Sequence, residues 1–406
     1  MRRASISCVY LSPFFFPEPI STGKYNTAVM EGLRDSGMNT TVITSEPLYP
    51  DWVPQKTDRT IPDVEIVRGG SWISYPKSPL LRRLVLELWF ACFMAYELPR
   101  RRKSTDAVIA VFPPVLFLPM AKMLLRKDVQ CIGIVHDLQS VFVQKSASPK
   151  RRMIAGIVRW LEGTALKSCQ RLIFLSHSMA AKAIEQHGLD PQRCTVHFPF
   201  STSPAKGEGR ALIDYFPPGL QHVVYAGALG EKQNPEGLIE CFTVLTHARE
   251  DIVCHCFSRG PTFDDLKGKY GQVPRLKFHD LVEERDLSEL MDRSALQIVP
   301  QLFGTSEAAI PSKLPNLIAA GVPVLAICDE ASETGKIVME AQAGAVVHSW
   351  APITVASAAT KLLDATRDQS RESRRAKAAK YVEEHFNLQR LVNDIVSFAK
   401  RAPKEL

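Results

Sequence analysis

The segment Pro311–Val324, PSKLPNLIAAGVPV, decides how the rest of the chain is interpreted. It predicts a short helix, with Ser312 as a favoured N-cap residue and Gly321 just beyond the helix end. The apolar run Val322–Cys328 then has the length of a buried strand. The first turn of such a helix offers unpaired N–H groups and the positive end of the helix dipole, with Lys313 beside them. The segment therefore predicts a phosphate or diphosphate site, and an ordinary capped helix with a surface lysine is the alternative.

The composition is typical of a globular protein with large apolar cores. The chain has 406 residues, of which 45% are hydrophobic and 23% are charged, and this length suits two or three domains. Its nine cysteines are scattered. In Cys254-His255-Cys256, the side chains of a strand would alternate between faces, so the three cannot all ligate one ion. We therefore expect free thiols in a reducing cytosol.

The first half predicts a strand–loop–helix–strand unit. Ile6–Leu11 is too short for a secretory signal and is predicted as a buried strand. A helix is predicted from about Lys24 to Ser36, and Thr40–Thr44 is the next strand. Gly23 then lies at a helix N-terminus, at the sheet edge where ligands of open α/β sheets bind. The segment is not a GxGxxG fingerprint, so it gives a dinucleotide cofactor little support.

Two further segments place polar side chains where predicted strands end. Val129–His136 is predicted as a strand that delivers His136 and Asp137 at its carboxyl end. In the second half, a strand leads into a turn that contains Gly227 and is followed by Lys232. The plain alternatives are a pair that satisfies its own loop and a solvent-exposed lysine.

A linker separates the two halves. Ser201–Gly209 is rich in Ser, Pro, Lys and Gly, which favours a domain boundary there. Farther along, Val338–Ala345 and Ile353–Leu363 are predicted as helices, and Leu388–Lys400 as a C-terminal helix.

Basic clusters flank an apolar stretch in the first half, within a chain of net charge +7. The stretch Leu84–Leu98, about 15 residues with two glutamates, is too short and too charged to span a bilayer. It is predicted as a core helix, as an interfacial helix, or as both on different faces. No zinc finger, RNP-like motif or DNA-reading helix accompanies the charge, so we expect no nucleic acid partner. The residues predicted to face the membrane or the acceptor are Arg82, Arg83, Trp89 and Arg101.

The pattern Ser-Lys-Leu-x-Asn-x-x-Ala-x-Gly-x-Pro-Val, from Ser312 onward, resembles the nucleotide-sugar segment of retaining GT-B glycosyltransferases of family 4. Within this family, the chain is most similar to the bacterial branch of colanic-acid fucosyltransferases and related exopolysaccharide enzymes. The resemblance implies an α/β protein of the GT-B fold, with two Rossmann-like domains facing a cleft. The implied domains are 1–203 on the acceptor side, 204–385 for the nucleotide sugar, and a helix at 386–406 that returns to the first domain.

The resemblance also implies roles for individual residues. His136 and Asp137 would act beside the bound sugar and the acceptor, and Lys232 would neutralise the diphosphate as the sugar leaves. Many relatives carry Glu-x7-Glu where this chain has Ala308 and Asn316, with Glu307 one residue out of register. The residues expected to bind the donor are Gly23, Gly227, Lys232, Glu307, Ser312, Lys313, Leu314 and Asn316.

The implied activity is transfer of a hexose from a UDP- or GDP-linked sugar to a hydroxyl of a lipid-linked or polysaccharide-precursor acceptor. Retention at the anomeric carbon follows from the family, and lysines would take the place of a divalent metal. We expect no cofactor besides the nucleotide sugar, and peripheral contact with the inner face of the plasma membrane. Two alternatives stay open: a non-catalytic sugar-nucleotide-binding or scaffold protein, and a soluble glycosyltransferase with a small or protein acceptor.

Overall fold

The computed structural model describes residues 6–18, 20–49, 51–113, 115–138, 149–202, 211–304 and 310–400. The chain forms two compact units. One comprises Met1–Phe198 together with Leu388–Leu406, and the other comprises Pro199–Asn387.

The first unit is built on a seven-stranded parallel sheet of order β3-β2-β1-β4-β5-β6-β7. Its strands are β1 (Ser7–Leu11), β2 (Asn39–Ser45), β3 (Val64–Gly69), β4 (Ala107–Phe112), β5 (Gln130–Val135), β6 (Arg171–Phe174) and β7 (Cys194–Val196). Its helices are α1 (Ser21–Asp35), α2 (Pro79–Arg101), α3 (Phe117–Leu124), α4 (Pro149–Ser168), α5 (His177–His187) and, from the end of the chain, α13 (Leu388–Ala399). Every residue of the central strand β4 is buried, as expected for a parallel sheet covered on both faces.

The C-terminal helix α13 packs on the first unit, which confirms the predicted return of the chain. Its buried side chains recur at the spacing of one helix face and include Leu391, Val392 and Ile395. On α1, a Cβ at Gly32 would lie only 2.6 Å from a methyl carbon of Val392. The glycine therefore allows the close approach of the two helices.

The second unit is built on a six-stranded parallel sheet of order β10-β9-β8-β11-β12-β13. Its strands are β8 (Gln221–Ala226), β9 (Ile252–Phe257), β10 (Leu276–His279), β11 (Leu296–Pro300), β12 (Val324–Ile327) and β13 (Gly344–Val347). Its helices are α6 (Pro235–Ala248), α7 (Pro261–Tyr270), α8 (Leu287–Arg293), α9 (Leu314–Ala319), α10 (Glu333–Glu340), α11 (Pro352–Thr366) and α12 (Arg371–His385).

One predicted helix of the second unit was wrong. The segment Val338–Ala345 divides between the end of α10 at Glu340 and the edge strand β13, which begins at Gly344. Gln342 between them has a φ of +52°, which ends the helical conformation. A short apolar run does not by itself distinguish a helix from a strand.

The Cys254-His255-Cys256 triplet alternates faces as predicted. Both cysteines lie in the apolar cluster of the second unit, whereas His255 bonds to His222 and His279 on neighbouring strands. Among the described residues, no group of three or more His, Cys, Asp or Glu side chains is arranged to hold a metal ion.

Candidate functional site

The segment 311–324 folds as a turn, a short helix and a strand. A hydrogen bond from the Leu314 N–H to the Pro311 carbonyl closes the turn at 2.9 Å. Helix α9 therefore begins at Leu314, with Lys313 at the N-cap position, and the prediction of Ser312 as the N-cap was wrong. Ser312 lies exposed inside the turn, one residue before the N-cap position.

The end of this helix was predicted correctly. Gly321 has a φ of +68°, and its N–H donates to the Ile318 carbonyl at 3.0 Å. The Val322 N–H donates to the Leu317 carbonyl, also at 3.0 Å. This pair of hydrogen bonds is a Schellman motif, which directs the chain from α9 into β12.

Lys313 lies against the end of strand β8. Its Nζ is 3.9 Å from the ring centroid of Tyr225 and donates to the Ala226 carbonyl at 3.4 Å. The side chain is partly buried, and this burial lowers the pKa of Lys313 to about 7 because it disfavours the charged ammonium. Within the described ranges, no carboxylate forms an ion pair with Lys313. The ammonium is therefore held by a ring and a carbonyl, both of which an anion can displace.

The turn after β8 brings Gly227 and Lys232 to the same edge of the sheet. Gly227 has a φ of +146° and donates to the Phe257 carbonyl at 3.0 Å. The exposed Lys232 follows, and its carbonyl accepts from the Leu302 N–H beyond β11 at 2.7 Å. The strand order reverses between β8 and β11, and ligands of open α/β sheets bind at such a reversal.

Tyr225 is a site residue that the sequence analysis missed. Its ring supports the Lys313 ammonium, and its hydroxyl donates to the Ala228 carbonyl at 2.5 Å. One side chain thus positions both the lysine and the glycine turn. In the sequence, Tyr225 is an aromatic residue two positions before Gly227, and such a residue cannot be distinguished from a core residue by pattern alone.

Two other residues that were predicted to bind the sugar donor make hydrogen bonds within the second unit. Asn316 hydrogen-bonds to Ser201 and Thr202. Leu314 is fully buried and its N–H donates to the Pro311 carbonyl at 2.9 Å. The contacts of both residues with a donor stay predictions. Glu307 and Ala308 lie outside the described residues.

In the first unit, His136 and Asp137 directly follow β5, as predicted. The His136 ring meets the Tyr25 ring edge-on, with centroids 4.6 Å apart. Burial lowers the pKa of His136 to about 4, so its imidazole is neutral at pH 7. Its buried Nε2 has no hydrogen-bond partner among the residues that the structure describes. The catalytic roles of the two residues stay predictions.

Gly23 lies in the first turn of α1, which begins at Ser21, three residues earlier than predicted. A Cβ at Gly23 would lie 2.7 Å from the Glu18 carbonyl oxygen. The Glu18 carboxylate is buried and accepts the N–H groups of Leu48 and Tyr49 at 2.8 and 2.7 Å. Gly23 therefore allows the loop after β1 to pack closely on α1, and its contact with a donor stays a prediction.

Asn26 was also missed by the sequence analysis. It is fully buried and its amide donates to Ser12 and to the Phe14 carbonyl at 2.9 and 2.8 Å. Its Oδ1 accepts from the Tyr10 hydroxyl at 2.8 Å. These bonds fix the loop after β1 at the carboxyl edge of the sheet. A lone asparagine within a helical pattern gave no sign of this role.

The predicted membrane-side residues of α2 differ in what they contact. The Arg82 guanidinium lies 4.1 Å from the ring centroid of Trp52. Trp89 is partly buried and stacks on Phe93 at 5.4 Å. Arg101 pairs with Glu97 and Glu65 at 2.7 and 2.8 Å, and Arg83 is exposed.

The same helix also presents an apolar surface. An open groove of about 710 Å³ runs between α2 and the segment after β3. No helix in the described ranges is long and apolar enough to cross a membrane. The side chains along this groove and α2 that are at least half exposed are Trp72, Leu81, Leu84, Leu88 and Tyr96.

Comparison with solved structures defines the class of fold. Sucrose-phosphate synthase from Thermosynechococcus elongatus superposes with a TM-score of 0.71 at 14% identity, covering 97% of this chain and 98% of that one. WaaG, a glycosyltransferase involved in lipopolysaccharide biosynthesis, superposes with a TM-score of 0.67 at 15% identity, covering 97% of this chain and 99% of that one. The two parallel Rossmann-like sheets are those of a GT-B fold, as predicted.

Sequence comparison defines the family. Residues 22–199 match the model of Glycosyltransferase Family 4, and residues 221–365 match that of Glycosyl transferases group 1. WcaI of Escherichia coli (strain K12), named as a colanic acid biosynthesis glycosyl transferase, is 24% identical over 343 residues, covering 80% of this chain and 83% of that protein. The chain belongs to the family 4 glycosyltransferases and is a transferase enzyme.

Proposed function

We propose that this enzyme transfers a hexose from a UDP- or GDP-linked sugar to a hydroxyl of a lipid-linked or polysaccharide-precursor acceptor, with retention at the anomeric carbon. The observation that carries the proposal is the position of Lys313. Its ammonium lies at the strand reversal of the second unit, beside the Gly227 turn, and no described carboxylate is paired with it. The relatives WcaI and WaaG, by their names, act in colanic acid and lipopolysaccharide biosynthesis, which supports an acceptor of this class.

The donor diphosphate binds at Lys313 and Lys232 in this proposal. An incoming phosphate replaces the Ala226 carbonyl as the partner of the Lys313 ammonium and raises the pKa of that lysine. The two lysines then offset the charge that develops on the leaving diphosphate, which is work that a divalent metal does in other transferases. The acceptor hydroxyl attacks from the face that the diphosphate leaves, so the anomeric configuration is retained.

His136 and Asp137 act on the acceptor side. Since His136 is neutral at pH 7 and its Nε2 has no partner among the described residues, it can exchange a hydrogen bond with a sugar hydroxyl. Asp137 would take the proton of the attacking hydroxyl.

The first unit contacts the inner face of the plasma membrane in this proposal. The exposed apolar side chains of α2, including Leu84 and Leu88, would enter the lipid surface, with the exposed Arg83, Arg102 and Lys103 at anionic headgroups. Trp89 and Arg101 play a lesser part because both are engaged within the unit.

Thermal shift with UDP, GDP, ADP, CMP and TDP tests the donor site. A nucleotide at a hundred times its dissociation constant adds about 2.7 kcal/mol to the free energy of unfolding. We expect a shift that is selective for one base, is lost in Lys313→Ala, and is kept in Lys380→Ala, which changes an exposed lysine of α12. No shift with any nucleotide, from a folded sample, favours the non-catalytic scaffold protein.

Sedimentation with vesicles tests the membrane contact. We expect binding to anionic vesicles that is lost in Leu84→Glu/Leu88→Glu and kept in Ile353→Glu, which changes an exposed apolar residue of the second unit. Absence of binding by the unaltered protein favours a soluble enzyme with a small or protein acceptor.

A further inference from the structure

Asn316 holds the segment of chain that enters the second unit. Its Oδ1 accepts from the Thr202 N–H at 2.8 Å and from the Ser201 hydroxyl at 3.1 Å. Its Nδ2 donates to the Thr202 hydroxyl at 3.3 Å. Both lone pairs of the amide oxygen are therefore used. A ribose hydroxyl that donated to this oxygen would have to displace one of the two linker groups.

The segment held by Asn316 lies where the chain passes between the units. The chain enters the second unit at Pro199 and leaves it after Asn387. The Ser201 N–H donates to the carbonyl of Phe386 at 3.1 Å, so the two crossing segments are bonded to each other. Through its bonds to Ser201 and Thr202, Asn316 also connects α9, the helix that follows Lys313, to these segments.

An amide matches the partners at this position. The Thr202 N–H and the Ser201 hydroxyl donate to its oxygen, and the Thr202 hydroxyl accepts from its nitrogen. A carboxylate supplies acceptors alone, so the Thr202 hydroxyl would have to turn and donate in its place.

We propose that Asn316 is a positioning residue that ties the crossing segment Ser201–Thr202 to helix α9, and that it does not bind the donor ribose. The Leu317 N–H donates to the Lys313 carbonyl at 3.1 Å, so Asn316 and Lys313 belong to one rigid turn. Loss of the tie frees the crossing segment and lowers turnover, while nucleotide affinity is kept. The kinetic part rests on the proposed function; the tie itself does not.

Amide hydrogen exchange, resolved to single residues, tests the tie without any assay of activity. In Asn316→Ala we expect the Thr202 amide to exchange about tenfold faster, because its acceptor is gone. The Ser201 amide, bonded to Phe386, is the internal control and should change by less than about twofold. Asn316→Asp keeps an acceptor oxygen and should leave Thr202 protected. Unchanged exchange at Thr202 in Asn316→Ala overturns the proposal.

Binding of a nucleoside diphosphate and its 2′-deoxy form tests the ribose. The base is the one selected by thermal shift. If Asn316 does not bind ribose, the ratio of the two dissociation constants is the same in Asn316→Ala as in the unaltered protein. A ratio that falls toward one in the variant overturns the proposal. If no nucleotide binds at all, the proposed function fails while the exchange experiment still decides the tie.

Turnover of the linker-side variants Ser201→Ala and Thr202→Val separates a positioning role from local stability. Each removes one bond to Asn316 and replaces no residue that was predicted to bind the donor. We expect kcat to fall in both, in the same direction as in Asn316→Ala and with the donor KM kept. Unchanged kcat in both variants, beside a loss in Asn316→Ala, contradicts the positioning role.

Discussion

The ammonium nitrogen of Lys313 lies 3.9 Å from the ring centroid of Tyr225. The ring favours the charged form of the lysine, whereas partial burial disfavours it. Burial prevails and lowers the pKa of Lys313 to about 7. The charge of the proposed donor site therefore changes within the physiological pH range, and the aromatic ring is one determinant of the pH at which it changes.

Nucleotide binding is predicted to weaken as the pH rises above 7. The free protein loses the Lys313 proton above its pKa of about 7. Above this pH, diphosphate binding requires Lys313 to take up a proton again, which weakens the binding free energy. The dissociation constant should rise about tenfold for each pH unit above that value. Calorimetric titration from pH 6 to 9 with the selected nucleoside diphosphate measures this slope.

The control for this prediction is Lys313→Arg, because a guanidinium stays charged throughout the range. Ionisation of the phosphate contributes equally in both proteins. An equal slope in the arginine variant would show that Lys313 is not the titrating group.

Tyr225→Leu is predicted to move this pH dependence to lower pH. Loss of the ring removes a cation–π interaction that favours the ammonium, so the midpoint should fall by about half a unit. Tyr225→Phe keeps the ring and loses only the hydroxyl bond to Ala228, so its midpoint should stay in place. The same titrations measure both variants. An equal shift of the midpoint in Tyr225→Phe and Tyr225→Leu would show that the hydroxyl bond to the turn, and not the ring, causes the change.

The histidines of the second unit are predicted to lower stability in acid. His222 Nε2 lies 3.0 Å from the Pro217 carbonyl, which only accepts, so this nitrogen carries the proton. His222 Nδ1 therefore accepts from His255 at 2.9 Å, and His255 Nδ1 accepts from His279 at 3.0 Å. These bonds require neutral His222 and His255 rings. Burial lowers the pKa of His255 to about 2 and that of His279 to about 4.

The lowered pKa values of these histidines determine the direction in which stability changes with pH. An unfolded histidine takes up its proton near pH 6.5, whereas the folded rings take it up only at lower pH. Stability is therefore full above pH 6.5 and is lost as the pH falls toward 4. Melting temperatures from pH 8 to 4.5 should fall less steeply in His279→Gln, which can still donate to His255. The control is His247→Gln, on the exposed face of α6; an equal slope in His279→Gln and the unaltered protein would contradict the prediction.

The sequence predicted the parts of the site that depend on local chain chemistry. The end of α9 at Gly321 was predictable because a glycine and a following proline leave few conformations. The start at Leu314 was not, because the Pro311–Leu314 turn competes with a Ser312 cap. The bonds of Asn316 to Ser201 and Thr202 join residues more than a hundred positions apart. No local pattern encodes such a contact.

Gly32→Ala is predicted to destabilise the first unit, because its Cβ would lie 2.6 Å from the side chain of Val392. Overpacking of this kind costs about 1–3 kcal/mol in the free energy of unfolding. Urea denaturation measures it. Gly268→Ala, in α7, is the matched control, since its Cβ would have nothing within 4 Å and the helix propensity of alanine should make the change neutral or favourable. Gly32→Ala should cost less in a Val392→Ala background, because the contacting methyl groups are then gone. A double variant no more stable than the two single changes added together would show that the contact between α1 and α13 is not the cause.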